Sequence, residues 1–350
     1  MTRVIHILNE LRPSGAETMI RLAAPYWQDM GLKLAVLSTG DAVGPYAPEL
    51  EAAGISIVHL PFRKSLSFFQ KFGGLIRGFD AIHIHTERAG FEYAATARAV
   101  GMKHIVRTIH STFNFQKRTR LVRTVQRRSA ALLGVKQVSI GPSVKDNELE
   151  RFRNPTLTIP NWYNEHHFVP PTLQQREEAR ATLRLMQGQW SILSVGNCAS
   201  VKNHEAILHA LKHLPDAIYV HAGIEDKHQG ERALALELGV LDRVRFLGWA
   251  DPLPLLWAAD VYVMSSRLEG FGIAALEALG TGIPTTLTNV PGLRDLAGAA
   301  ENLVFSDLTP QSIAAALQEV RVKPRLTHTA TLAQQYGIER GAKAYAALYR

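Results

Sequence analysis

The chain has 350 residues, and at ~150 residues per domain this suggests two domains. Hydrophobic residues make up 46% and charged residues 20%, a globular balance that excludes disordered, collagen-like and fibrous classes. No apolar run approaches the ~18 residues needed to span a bilayer, Met1–Glu10 lacks a signal-peptide apolar region, and the single cysteine, Cys198, points to a reducing, cytoplasmic setting.

In chain order, the first half offers β-branched runs at Val4–Leu8, Leu34–Ser38, Ile55–His59, Ala81–His85, Ile105–Ile109, Gln137–Ile140 and Leu157–Ile159, with helical patterns between them. Pro160–Pro171, with three prolines and no apolar period, reads as a linker. A second series follows at Trp190–Val195, Ala217–His221, Val244–Leu247, Val261–Met264 and Pro284–Thr288. Strand–helix alternation favours parallel sheets that bind ligands at their carboxyl ends. The expected fold class is α/β, with two Rossmann-like domains across a cleft. They are a basic domain over 1–160 and a second over 161–336, with a helix over 337–350 packing back across the junction.

Charge separates the halves. Residues 1–160 carry 22 Lys+Arg against 12 Asp+Glu, and from Tyr93 to Lys145 there are eleven basic residues and no acidic one. Such a domain suits a polyanionic partner. Lys117–Leu133 reads as an amphipathic helix. Leu121, Val122, Val125, Leu132 and Leu133 fall on one arc, Arg120, Arg123 and Arg127 lie opposite, and Arg118 and Arg128 lie within or beside the arc. The expectation is peripheral attachment to an anionic membrane, with Arg120, Arg123 and Arg127 as its basic contacts.

Two motifs carry chemistry. Gly196-Asn-Cys-Ala-Ser-Val-Lys202-Asn follows the first strand of the second series, where a small-residue turn frees backbone N–H groups for an anion and Lys202 adds a charge. After Val261–Met264 comes Glu269-Gly-Phe-Gly-Ile273…Glu277. Its glycines allow close approach to the backbone, and the amides of Gly270–Ile273 can open a helix at a diphosphate. Glu277 lies eight residues after Glu269, slightly over two helical turns, so both carboxylates can share one helix face, and a carboxylate suits vicinal ribose hydroxyls.

The Glu269…Glu277 block, with Gly282-x-Pro284 and Val290-Pro-Gly292, resembles the Glu-x7-Glu signature of retaining GT-B glycosyltransferases of family 4. Pro13-Ser-Gly-Ala-Glu17, Thr108-Ile-His110, Ile159-Pro-Asn161, Gly196…Lys202 and Phe246-Leu-Gly248 resemble further family motifs in the family's order. The resemblance implies that Lys202 holds the donor diphosphate, Glu277 the ribose, and Glu269 with the amides of Gly270, Phe271, Gly272 and Ile273 the sugar and β-phosphate. It further implies that Gly248 lies toward the base, Asn197 lies in the phosphate loop, His110 contacts the transferred sugar, and Gly15 lines the phosphates. Asn197 stands where the family usually has Arg or Lys, removing one positive charge that Arg12 or Arg267 is available to replace. Ser14-Gly15 stands where it usually has Gly-Gly.

Fourteen histidines include His83, His85 and His110 at strand ends, but no Cys or acidic ligand sits at a diagnostic spacing and no Asp-x-Asp pair occurs. The expectation is no metal and no cofactor beyond a nucleotide-sugar co-substrate. The function implied is transfer of a sugar, with retention, from a UDP-sugar to a saccharide or lipid-linked saccharide in exopolysaccharide or envelope glycan synthesis, with no nucleic acid as partner. The alternatives are a sugar-nucleotide epimerase of the same fold and a non-enzymatic polyanion-binding protein.

Overall fold

The computed structural model describes all 350 residues, which divide into two compact units, Met1–Trp162 with Ile338–Arg350, and Tyr163–Gly337. The first unit holds β1 (Thr2–Leu8), β2 (Leu32–Ser38), β3 (Ser56–His59), β4 (Ala81–Ile84), β5 (His104–Ile109), β6 (Lys136–Ser139) and β7 (Leu157–Thr158). They form one sheet in the order β3-β2-β1-β4-β5-β6-β7. The second unit holds β8 (Trp190–Val195), β9 (Ala217–Ala222), β10 (Val244–Phe246), β11 (Val261–Met264), β12 (Thr285–Thr288) and β13 (Leu303–Ser306), in the order β10-β9-β8-β11-β12-β13. Every ladder is parallel. This is the paired Rossmann-like architecture of GT-B proteins.

Parallel strands are covered on both faces, which is why the central ones read as unbroken apolar runs. Val4, Ile5, Ile7, Ile82 and Ile84 have no exposed surface, and neither do Ile192, Leu193 and Tyr262 in the second sheet. Strand order reverses between β1 and β4 in one sheet and between β8 and β11 in the other. Loops leaving the carboxyl ends of such neighbours diverge and leave a crevice.

The anticipated strands all form, with ends shifted by two residues at most, and β13 is an addition that the sequence reading lacked. The segment over 160–171 is more than a spacer. Trp162 is buried with its ring centroid 6.4 Å from Trp27 and 5.9 Å from Tyr345. Tyr163, also buried, donates its N–H to the Tyr336 carbonyl at 3.1 Å. The C-terminal helix Ile338–Ala346 belongs to the first unit, where the Trp27 indole N–H donates to the Ala342 carbonyl at 2.9 Å.

The helix Lys117–Leu132 turns its apolar stripe outward and buries Arg127, one of the three arginines expected at a membrane surface. Leu121, Val122, Val125 and Leu132 are 65%, 46%, 55% and 90% exposed, whereas Arg127 is fully buried. The Arg127 Nε donates to Glu148 Oε2 at 2.7 Å, its Nη1 to Glu87 Oε1 at 3.1 Å, and its guanidinium lies 4.2 Å from the Phe152 ring centroid. Arg123 Nε lies 3.5 Å from Glu87 Oε1, and Arg120, though exposed, donates to the Arg151 carbonyl at 3.0 Å. Arg107 also pairs with Glu87. Two carboxylates distant in sequence thus draw Arg127 inward, so Arg127 is a structural residue and not a membrane contact.

Candidate active site

In the second unit, adjacent β8 and β11 send out the loops 196–202 and 265–272 on either side of the strand-order reversal. Gly196, at φ +150, opens the first. Its N–H donates to the Ala222 carbonyl at 2.8 Å, and the Cys198 N–H to that of Ile224 at 2.9 Å, so the loop runs along the end of β9. Gly223 makes this possible, because a Cβ there would lie 2.0 Å from the Gly196 carbonyl oxygen. A glycine directly after a strand end was the available signal for this residue, which the sequence reading missed. Asn197 Oδ1 accepts from the Ile224 N–H at 2.9 Å, and Gly248, at φ +66, accepts the Gly223 N–H at 2.8 Å. The residue in the usual basic position therefore helps fix the loop.

Lys202 ends a short 3-10 turn, Ser200–Lys202, and its ammonium donates to Glu269 Oε1 at 2.6 Å. Ser266 Oγ donates to the same oxygen at 2.8 Å. The two loops are also joined through the backbone, where the Arg267 N–H donates to the Val201 carbonyl at 2.8 Å. The Arg267 guanidinium bonds the Ser200 carbonyl and Glu205, both at 2.6 Å, and Arg12 pairs with Glu10 at 3.1 Å. Neither candidate for the missing positive charge is therefore free of a carboxylate.

The helix after the second loop runs Ile273–Gly280, so Glu269 precedes it and the two glutamates do not share a helix face. Gly272 sets the turn at φ +78, with an added Cβ only 2.5 Å from Leu293 Cδ2. Gly292, at φ +89, brings the next loop against this one, since a Cβ there would meet the Glu269 carbonyl oxygen at 2.5 Å. Phe271 is buried with its ring 5.7 Å from that of Tyr336, so its side chain is packing while Gly270 and Ile273 stay partly accessible. Glu277 is half-buried on the helix, and loss of water, followed by the nearby Asp251 charge, pushes its carboxyl up to about 8.

In the first unit, Gly15 is the first residue of the helix Gly15–Asp29, and Ser14 bonds Glu17 in its first turn. His110 follows β5, with Nε2 3.0 Å from His85 Nδ1, while His85 Nε2 lies 3.0 Å from Nδ1 of His6, a residue the sequence reading passed over. Burial lowers His110 to about 4 and His6 to about 3, so both are neutral imidazoles at pH 7. His83 is engaged by Tyr349 Oη and Thr108 Oγ1, each at 2.7 Å. The cavity among His83, His85, His110 and Trp27 is only about 10 Å³, so this cluster is mainly packed polar core.

Two family models match, Glycosyltransferase Family 4 over residues 13–167 and Glycosyl transferases group 1 over 175–334, between them most of the chain. The chain belongs to the GT-B glycosyltransferases of family 4. Mannosylfructose-phosphate synthase of Agrobacterium fabrum is 26% identical over a stretch that takes in 57% of this chain and 46% of that protein. An Escherichia coli UDP-Gal:alpha-D-GlcNAc-diphosphoundecaprenol alpha-1,3-galactosyltransferase is 26% identical, with 61% and 59% covered. The chain thus spans about half the length of these curated relatives. Among solved structures, Anabaena Alr3699/HepE in complex with UDP superposes with a TM-score of 0.81 at 18% identity, covering 99% of both chains. At that identity the likeness is one of fold.

Proposed function

We propose that this family 4 protein is a retaining glycosyltransferase that takes its sugar from a UDP-sugar and passes it to a saccharide or lipid-linked saccharide in envelope or exopolysaccharide synthesis. The observation that carries the reading is the meeting of Lys202 and Glu269 at 2.6 Å on two loops that leave adjacent strands at the reversal of the second sheet. In that reading Lys202 and the backbone amides of Gly270–Ile273 bind the diphosphate, where negative charge grows as the sugar departs. Glu269 orients Lys202, and Glu277 takes the ribose hydroxyls. The roles assigned to His110 and Gly15, toward the transferred sugar and the phosphates, rest on the family pattern, and Asn197 and Gly248 act through the loop they fix. The choice of UDP is supported by the donor and ligand that two of the similar proteins are named for. No divalent cation is needed on the diphosphate, because helix N-terminal amides and Lys202 supply the positive potential.

No helix is long and apolar enough to cross a membrane. Attachment to an anionic leaflet is assigned instead to the exposed stripe Leu121, Val122, Val125 and Leu132, flanked by exposed Lys117, Arg118 and Arg128. The test of the whole reading is incubation with UDP- and GDP-sugars and a lipid-linked saccharide. Transfer from a UDP-sugar with the anomeric configuration kept, read by NMR of the product, is expected. An inverted product or a free epimerised nucleotide sugar contradicts it.

A further inference from the structure

The sequence separates Cys198, His204, His221 and Glu231 at no diagnostic spacing, yet the second unit gathers them. Cys198 lies in the loop after β8, His204 begins the helix His204–Ala210, His221 is on β9, and Glu231 is in the first turn of the helix Gly230–Glu237. Cys198 Sγ is 3.4 Å from His221 Nε2, and His204 Nδ1 is 3.9 Å from Glu231 Oε1. One ligand atom from each of Cys198, His204 and His221 lies within 4.8 Å of the others. His204 is only 5% exposed, and its Nδ1 has no hydrogen-bond partner, which costs free energy in a buried site. The other nitrogen of His221 faces Ser194 Oγ at 3.1 Å, the kind of outer contact that orients a ligating imidazole. An adjoining recess of about 370 Å³, lined by Asn203, His204 and Glu231, gives access.

We propose that Cys198, His204 and His221, with Glu231 as fourth ligand, bind a borderline-soft divalent cation such as Zn²⁺ beside the Lys202 loop. A thiolate, two imidazoles and a carboxylate are a tetrahedral zinc donor set, and bond lengths of ~2.3 Å to sulfur and ~2.0 Å to nitrogen place those atoms about 3.5 Å apart. The 3.4 Å between Sγ and Nε2 already meets that spacing. The histidine cluster of the first unit lacks both a thiol and a carboxylate, and its rings are already paired with one another, Tyr349 and Thr108. On binding, the thiol gives its proton to solvent, sulfur donates its electron pair to the cation, and the cation ties the loop that carries Lys202 to β9 and two helices. Its ligands are other residues than the proposed diphosphate contacts, and the cobalt readout needs no donor, so the donor reading and this binding can fail independently.

The test uses the full chain, stripped of metal under reducing conditions and titrated with Co²⁺. The expected result is one equivalent bound with a thiolate-to-cobalt charge-transfer band, displaced by Zn²⁺, absent in Cys198→Ser and at least tenfold weaker in His221→Gln and in His204→Gln. With one cysteine in the chain, the band has one source. A wild type with no such band overturns the proposal. So does either histidine variant, folded by circular dichroism, that binds Co²⁺ as tightly as wild type.

Discussion

Lys202 Nζ and Glu269 Oε1 lie 2.6 Å apart although 67 positions apart in sequence, so the ammonium that the proposed function assigns to a diphosphate is held in place by a carboxylate. Glu269 is also bonded by Ser266, which limits where Lys202 can point. Preorganisation of this kind matters most for charge that develops in the transition state.

Lys202→Ala should therefore lower kcat more than it raises KM for the UDP-sugar. The loss of one charge-assisted contact is worth roughly 1.5–3 kcal/mol, about ten- to a hundred-fold. Steady-state kinetics at saturating acceptor measure this, and an unchanged kcat removes Lys202 from the chemistry.

Glu277 gives a pH dependence of definite sign. Burial holds its carboxyl up at about 8, so the free fold favours the protonated form. The stability this contributes is complete below the unfolded value of 4.5 and fades as pH rises through 8, whereas Glu277→Gln should show no such loss. Donor binding runs the other way. If the carboxylate takes the ribose, UDP affinity should rise about tenfold from pH 7 to pH 9 as Glu277 ionises, with a flat profile in the Gln variant. Calorimetric titrations across this range decide it.

Arg127→Glu should unfold or severely weaken the first unit, since it sets a third carboxylate among Glu87 and Glu148 in place of their buried partner. Breaking such a pair costs about 3–5 kcal/mol, read by urea denaturation. The double variant Arg118→Glu/Arg128→Glu, on exposed positions, should keep wild-type stability and lose sedimentation with anionic liposomes. Undiminished liposome binding by that double variant would show that this stripe is not the contact.

Transfer should need neither Mg²⁺ nor Mn²⁺, so a chain stripped with EDTA and resupplied with Zn²⁺ alone should transfer as before. Activity that disappears on chelation and returns with Mg²⁺ or Mn²⁺, but not with Zn²⁺, would place a cation on the diphosphate and contradict the proposed chemistry.

The strands were legible because parallel sheets bury both faces, which leaves apolar runs such as Val261–Met264. The four-residue β13, Leu303–Ser306, is a short edge strand next to Asp307 and sent too weak a signal. Helical periodicity placed the helix at 117–133 but does not say which arc faces inward. Glu87 and Glu148, remote in sequence, settle that in favour of Arg127. The spacing of Glu269 and Glu277 was read as helical, but the left-handed turn at Gly272 starts the helix after Glu269. The Cys198 cluster was invisible because its members come from different elements, and only the sheet order brings them together.

The central claim is that the Lys202 loop and the Glu277 helix together bind a nucleoside diphosphate. Titration calorimetry of UDP into the wild-type chain and into Lys202→Ala/Glu277→Gln, at pH 8, tests it most directly. The account requires one UDP per chain in the wild type and at least a hundred-fold weaker binding in the double variant, with both proteins equally folded. Equal affinity in the two proteins, or no binding of UDP by the wild type, would contradict it.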